Sequence, residues 1–172
     1  PAMAKGRHVF VEQRTRDLTE YSETSNINKV EYNDTSIGVI CAGISYQYAK
    51  EALGDKASYL KIGMINPMPI KLIQDFAAKC DKIYVIEQLD PVIEKHCRSI
   101  GVNVIGKDMF SLLGELSQSI VADKICNTVN PTISLDDVQI PNRPPVMCCG
   151  CPHRGLFYAL KKKKVYVSGD IG

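Results

Sequence analysis

Short apolar runs recur through the middle of the chain, and each is bounded by turn-forming or charged residues. A continuous apolar run of this length is typical of a strand that is buried on both faces of a sheet. The runs cover residues 37–42, 59–64, 82–87 and 102–105. Polar residues 28–32 precede them and are expected to add a short antiparallel edge strand, which makes five strands in all.

Apolar residues at helical spacing fill the intervals between these runs. Pro69 and Pro91 each stand directly before such a stretch, where the missing proline N–H does no harm in the first helical turn. The predicted helices cover residues 45–53, 70–79, 92–99 and the amphipathic stretch 110–126. Alternation of strands and helices predicts an α/β domain of three layers, α/β/α, around a mixed, mostly parallel sheet.

The flanking segments have a different character. Residues 1–27 are polar and are expected to form a lead-in helix from about residue 8, whereas the α/β domain covers residues 28–126. Proline and asparagine make residues 127–142 a linker. In residues 143–172, a short helix at 153–162 is followed by a terminal strand. We expect an internal segment of a longer protein, because position 1 is not Met and the chain stops directly after that strand.

Charge and hydropathy exclude several classes of protein. The 172 residues carry a formal net charge of +2, which creates no field suited to nucleic acid. No apolar stretch is long enough to cross a membrane, and residues 1–7 lack the apolar region of a signal peptide. The one basic block, residues 161–164, is expected to be a solvated helix end. We therefore expect a cytoplasmic protein that binds neither nucleic acid nor membrane.

Three of the seven cysteines are clustered, at Cys148, Cys149 and Cys151. Cys148 and Cys151 form a Cys-x-x-Cys pair, and Gly150 supplies the backbone freedom of a tight turn between them. Thiolates at this spacing suit zinc, copper or an iron–sulfur cluster. A redox dithiol, buried thiols and structural zinc are the alternatives, although zinc needs further ligands and His153 is uncomfortably close in sequence. The scattered thiols are expected to be small buried hydrophobes: Cys41, Cys80, Cys97 and Cys126.

Three further positions have the pattern of a ligand site. Gly169 and Asp170 follow the terminal strand and could hold magnesium and a diphosphate, although a plain glycine-rich turn fits equally well. The segment from Gly43 to Ser45 follows the first buried strand, where ordinary helix initiation by Ser45 is the favoured reading over anion binding. Glu87 ends the third run, and a solvated loop acid is commoner there than a catalytic one.

Residues 143–155 carry a specific resemblance. They read Arg-Pro-Pro-Val-Met-Cys-Cys-Gly-Cys-Pro-His-Arg-Gly, and an apolar helix and a strand ending in Gly-Asp-Ile-Gly follow. This segment resembles the alpha subunit of the indolepyruvate ferredoxin oxidoreductases. Upstream, the Asn-Pro-Met-Pro of residues 66–69 looks like a turn of transketolase C-terminal-type domains. Residues 37–53, which include Gly43, Tyr46, Gln47, Tyr48 and Lys50, look like the start of the middle domain of that family.

The resemblance implies a transketolase C-terminal-like fold for residues 28–126 and the start of a thiamine-diphosphate-binding domain at 143–172. It implies that Cys148 and Cys151 are ligands of a [4Fe–4S] cluster, with the next ligand beyond residue 172. Cys149 departs from the family, which usually has proline there. Cofactor contacts are expected at Gly150, His153, Gly169 and Asp170, although the family's magnesium motif lies further downstream.

The implied reaction is the oxidative decarboxylation of an aryl 2-oxoacid with coenzyme A, with electrons passed to ferredoxin. A beta subunit is the implied partner, and thiamine diphosphate, Mg²⁺ and [4Fe–4S] clusters are the implied cofactors of the intact enzyme. This chain alone is expected to be inactive and to bind none of them. The alternatives are a non-catalytic module at a subunit interface and a small zinc-binding or thiol-redox protein.

Overall fold

A computed structural model describes most of the chain in two units, Pro1–Pro131 and Thr132–Gly172. The described residues are 2–128, 131, 133, 138–139, 141–142 and 147–169.

The first unit is built on a mixed sheet, as the sequence predicts. Its strands are β1 (Lys29–Glu31), β2 (Gly38–Ala42), β3 (Ser58–Ile62) and β4 (Ile83–Ile86). Their order across the sheet is β1-β3-β2-β4. β2 pairs in parallel with both β3 and β4, and β1 pairs antiparallel with the outer edge of β3. The predicted antiparallel edge strand is therefore confirmed.

The predicted count of five strands is wrong by one, because residues 102–105 form a single bridge in place of a strand. Ile105 lies beside Tyr84 in a parallel bridge. It donates its N–H to Ile83 and accepts from the N–H of Val85. The N–H of Val102 is already bonded to the carbonyl of Cys97, at the end of the preceding helix, at 2.9 Å. That bond commits the start of the segment to the helix end, so that only its last residue joins the sheet.

Helices occupy the predicted intervals, and a short 3₁₀ turn, Gly54–Lys56, precedes β3. They are α1 (Ala2–Thr24), α2 (Ile44–Leu53), α3 (Ile70–Ala77), α4 (Val92–Ser99) and α5 (Gln118–Cys126). α3 and α4 begin directly after Pro69 and Pro91, as predicted.

The stretch predicted as one long helix at 110–126 is helical only in its second half. Ser117 is the N-cap of α5, and its hydroxyl accepts the N–H of Ile120 at 3.3 Å. Upstream, Gly114 has a φ of +81°, which is incompatible with a continuous helix. Leu113 is 85% exposed in the intervening loop. The leucines were therefore misread as a helical face.

Two cores, one on each face of the sheet, produce the predicted three layers. Alternate residues of the strands point to opposite faces, so β2 contributes Ile40 to one core and Val39 and Cys41 to the other. The first core includes Ile73 and Phe76 of α3, with Ile93 and Cys97 of α4. The second is covered by α2 and α5, through Tyr46, Ala49, Leu53 and Val121.

Buried Asn28 joins three separate segments of the first unit. Its amide nitrogen donates to the carbonyl of Ser22, in α1, at 2.7 Å. Its amide oxygen accepts the N–H groups of Gly63 and Met64, just after β3, at 2.8 and 3.1 Å. One side chain thereby satisfies backbone groups at the end of α1 and at the end of a strand.

Glu31 ties the edge strand β1 to α2. Its carboxylate accepts a hydrogen bond from the hydroxyl of Tyr46 at 2.5 Å and pairs with Lys50, both on α2. It also pairs with Lys29 at 2.7 Å. Hydrogen bonds from Lys29, Lys50 and Tyr46, in that order of strength, lower the pKa of Glu31 to about 2. The carboxylate is therefore held ionised as the hub of a charged cluster.

The second unit contains one described helix, α6 (His153–Lys163), close to the predicted bounds. The basic block ends it as predicted, with Lys164 in the left-handed region. The predicted terminal strand is wrong for residues 165–169, which form no strand. Val165, Tyr166 and Val167 are exposed. A strand needs a neighbour for its backbone hydrogen bonds, and the described residues of this unit contain none.

No helix among the described residues of either unit has both the length and the apolar character that crossing a bilayer requires.

We expect Gly63→Ala to lower the free energy of unfolding by about 1–3 kcal/mol. An added Cβ at this position would overlap the backbone carbonyl of Ile27, which cannot move without disturbing Asn28. Gly6→Ala is the control, because nothing lies within 4 Å of a Cβ there and alanine favours a helix. Urea unfolding measures both variants. Equal stability of Gly63→Ala and wild type would contradict the close approach.

We expect Glu31→Gln to destabilise the chain by about 1–3 kcal/mol at neutral pH, because the amide cannot accept the charged hydrogen bonds equally well. The folded pKa of Glu31 lies below its ordinary value of 4.5. Its ionised form therefore contributes stability above pH 4.5, and this contribution is lost as the pH falls towards 2.

Urea unfolding of Glu31→Gln and wild type at several pH values between 3 and 7 checks this expectation. The difference between the two proteins should shrink at the acid end of that range. Glu51→Gln, at an exposed position of α2, is the control and should show no such trend. A difference that stayed constant down to pH 3 would show that the ionised carboxylate is not the cause.

Candidate functional site

Residues 148–151 form the tight turn that the Cys-x-x-Cys spacing predicts. The N–H of Cys151 donates to the carbonyl of Cys148 at 3.1 Å, which closes the turn. Gly150 occupies its third position with a φ of +80°, a value that favours glycine. The two cysteines therefore stand at the first and last positions of one turn. Cys148 and Cys149 are exposed, whereas Cys151 is half-buried.

His153 lies beside this turn, at the start of α6. Its Nδ1 atom is 3.6 Å from the sulfur of Cys151. The carbonyl of Cys151 accepts the N–H of Arg154 at 3.2 Å, so the turn leads directly into the helix. No side chain caps α6. The positive end of the helix dipole therefore faces the cysteine segment, where it favours an anionic group.

The turn fits part of a thiolate ligand set. An iron–sulfur cluster of the common types takes four cysteine ligands, and a structural zinc site takes four Cys or His ligands. In the described parts of the chain, no three His, Cys, Asp or Glu side chains come together in a way that could hold a metal ion. Cys148 and Cys151 can supply two ligands to such a group, and the remaining ligands must come from elsewhere.

Of the other two cofactor residues predicted in this unit, only Gly169 is among the described residues. Gly169 is exposed, and an added Cβ there would have no described neighbour within 4 Å. Asp170 lies outside the described residues. The assignment of Gly169 and Asp170 to a cofactor therefore stays a prediction.

Two of the four scattered cysteines are wholly buried, as expected of small hydrophobes. Cys41 and Cys97 are 0% exposed, and burial raises the pKa of each thiol to about 12. Such thiols are poor nucleophiles and poor metal ligands at neutral pH. Cys80 is half-buried, and burial also raises its pKa. Cys126 is exposed, so the expectation was wrong there. It is the last residue of α5, where the apolar face of the helix ends.

Glu87 is neither a solvated loop acid nor an open catalytic group. It is 9% exposed and accepts the backbone N–H groups of Val92, Ile93 and Glu94 at 2.8–3.1 Å. It thus caps the first turn of α4. The amine of Lys107 donates to the backbone carbonyl of Glu87 at 2.5 Å. The sequence contains no local signal for this contact, because the two residues meet only through tertiary packing.

Ser45 does not initiate α2 in the expected way. Gly43 occupies the N-cap position with a φ of 55°, and no side chain in the described part of the chain caps the helix. Ser45 lies inside the first turn of α2 and is only 3% exposed. The expected capping role was therefore wrong, because the tight exit from β2 needs a backbone conformation that glycine adopts most easily.

Comparison with curated proteins finds relatives along nearly the whole chain. Subunit IorA of indolepyruvate oxidoreductase from Archaeoglobus fulgidus is 30% identical, over 94% of this chain and 29% of its own length. The same subunit from Methanothermobacter thermautotrophicus is 30% identical over 99% of this chain, and that from Pyrococcus horikoshii is 28% identical over all of it. The chain thus spans about 30% of the length of these relatives. No protein-family profile matches the sequence.

Comparison with solved structures supports the fold. A 2-oxoglutarate:ferredoxin oxidoreductase from Magnetococcus marinus, solved with 2-oxoglutarate, coenzyme A and succinyl-CoA bound, aligns with a TM-score of 0.57. The alignment covers 70% of this chain and 23% of that one, at 16% sequence identity. The likeness therefore concerns the fold. In sequence, this chain is similar to the indolepyruvate oxidoreductase subunit IorA, of which it matches about 30% of the length.

Proposed function

We propose that the chain is part of the large subunit of an enzyme that oxidatively decarboxylates aryl 2-oxoacids. In this reaction the bond between the carboxylate and the keto carbon breaks and CO₂ leaves. The acyl group forms a thioester with coenzyme A, whose thiol proton is released. The two electrons set free reduce two ferredoxins, one electron each.

The relationship to subunit IorA over nearly the whole chain is the observation that carries this proposal. It includes both the α/β unit and the cysteine turn. The structural neighbour, whose name describes a 2-oxoacid:ferredoxin oxidoreductase with coenzyme A bound, supports the same reaction class through its fold. The alternative of a small zinc-binding or thiol-redox protein is less well supported, because subunit IorA of indolepyruvate oxidoreductase matches nearly the whole chain.

The second unit contains the residues that we assign to cofactors. Cys148 and Cys151 would hold iron of a [4Fe–4S] cluster, with Gly150 allowing the turn between them. His153 lies close enough to the sulfur of Cys151 to orient that ligand. Gly169 and Asp170 are assigned to the approach of the diphosphate group. In the intact enzyme, thiamine diphosphate with Mg²⁺ would supply the electron sink for decarboxylation, and iron–sulfur clusters would supply one-electron transfer to ferredoxin.

The first unit is assigned a structural role within the subunit. Cys41 and Cys97 are wholly buried in it, and the carboxylate of Glu87 is committed to the first turn of α4. A small subunit and ferredoxin are the protein partners that we infer, and the cytoplasm is the compartment. We infer that this chain alone does not turn over 2-oxoacids, because the rest of the cofactor shell must come from outside it.

We expect Cys148→Ser and Cys151→Ser, made in the large subunit that includes this chain, to lose or alter one iron–sulfur signal. Each variant removes one thiolate from the turn and leaves the α/β unit untouched. Cys149→Ser is the matched control and should retain the signal, because adjacent thiols point apart. The measurements are the iron content and the electron paramagnetic resonance spectrum of anaerobically purified protein, together with the reduction of ferredoxin by indolepyruvate.

Each result has a definite meaning. Loss of the signal in Cys149→Ser alone would contradict the choice of ligands. Unchanged iron in all three variants would show that the turn binds no cluster. If the wild-type complex failed to reduce ferredoxin with any of the aryl 2-oxoacids, the proposed activity itself would be wrong.

A further inference from the structure

A crevice opens at the carboxyl ends of β2 and β4, in the first unit. From β2 the chain passes to β3 on one side of it and then returns to β4 on the other side, as the order β1-β3-β2-β4 requires. The connections that follow β2 and β4 therefore leave the sheet on opposite faces, through α2 and α4. In open parallel sheets, such a reversal of strand order is where ligands bind.

The helix that begins at this crevice has an unoccupied N-terminus. α2 starts directly after β2, and its N-cap is Gly43, which has no side chain to accept the first N–H groups. The first four N–H groups of any helix lack partners within the helix. Across the crevice, the carboxylate of Glu87 satisfies three N–H groups of α4. Among the described residues, a side chain therefore supplies an acceptor to the N-terminus of α4, whereas none does so for α2.

Ser45 provides a second, independent indication of a ligand. Ser45 is only 3% exposed, lies in the first turn of α2 and lines the crevice. No hydrogen bond of its hydroxyl is made with any other part of the chain that the structure describes. A hydroxyl that lines the crevice and has no partner there can donate its hydrogen to an acceptor placed in the crevice.

The crevice has the size and the walls of a small-molecule site. Its volume is about 320 Å³, near the lower end of the range of known ligand pockets. Most of the wall is aliphatic, with Gln88 at the rim. The lining residues are Ala42, Ile44, Ile65, Val92 and Ile93, with Gly43, Ser45, Glu87 and Gln88.

The charges around the crevice allow one additional negative group. The N-termini of α2 and α4 each carry about half a positive charge. The carboxylate of Glu87 is offset by these and by the amine of Lys107, which is bonded to the carbonyl of the same residue. The negative charge of Glu87 is therefore offset, and it would not repel an anion bound at the N-terminus of α2.

We propose that this crevice binds a small carboxylate with an apolar body. The carboxylate accepts the N–H groups of the first turn of α2 and the hydroxyl of Ser45. The apolar body lies against Ala42, Ile65 and Ile93. The site is in the first unit and uses none of the residues assigned to cofactors, so it does not depend on the proposed enzymatic activity.

Phenylacetate is a suitable probe, because it joins a carboxylate to an apolar ring. Phenylacetamide, its neutral counterpart of nearly the same shape, is the matched ligand control. Titration of the ¹⁵N-labelled chain should shift the backbone amide signals of residues 43–46 and 88–93. The acid should bind roughly tenfold more tightly than the amide, as expected for a hydrogen-bonded charge. Equal binding of the two probes would overturn the assignment of a carboxylate.

Ser45→Ala should weaken the binding of phenylacetate roughly tenfold, because the only polar side chain that we place on the ligand is removed. Ser36→Ala, at an exposed position before β2, should bind as the wild type does. Alanine suits a helix, and the unchanged amide spectrum away from residue 45 verifies the fold. Unchanged affinity in Ser45→Ala, shifts confined to other parts of the chain, or no binding at millimolar phenylacetate would each overturn the proposal.

Discussion

The first unit depends on the complete burial of β2. This strand has a parallel neighbour on each edge and a helical layer on each face. Val39, Ile40 and Cys41 are 0% exposed. A polar side chain here would have to be buried without a hydrogen-bond partner. The free-energy cost of burying it would exceed what a single apolar contact contributes. Even the first residue is constrained, because a Cβ on Gly38 would overlap Cys80 and Ile83. The two cores can form only around a strand of this composition.

The exits from the sheet follow from the same constraint. A chain that leaves a buried strand must turn within a residue or two, and at the end of β2 Gly43 does so with a positive φ. β4 ends at Glu87, whose carboxylate turns back onto α4. Two helix N-termini therefore meet the same edge of the sheet, one capped by the chain and one not. The candidate ligand site arises from this difference between two otherwise similar connections.

The cysteine turn of the second unit rests on a different kind of determinant. Its geometry is local, since one hydrogen bond between Cys151 and Cys148 and one glycine conformation define it. Such a turn can be recognised from spacing alone, whereas the group that it would bind cannot. The similarity to subunit IorA extends over both units, and the assignment of an iron–sulfur cluster to the turn stays a proposal.

The sequence by itself determined the position of four strands and of α2, α3 and α4, because buried strands leave continuous apolar runs and proline marks the starts of α3 and α4. The sequence pattern failed where a hydrogen-bonding partner decides whether a segment forms a strand. Residues 102–105 form a bridge because Cys97 takes the N–H of Val102, and residues 165–169 form no strand where the described chain offers no neighbour. Only the tertiary structure decided the contacts of Asn28, Glu31, Glu87 and Ser45. Polar side chains acquire their roles from groups that are distant along the chain, and a one-dimensional pattern contains no distances between them.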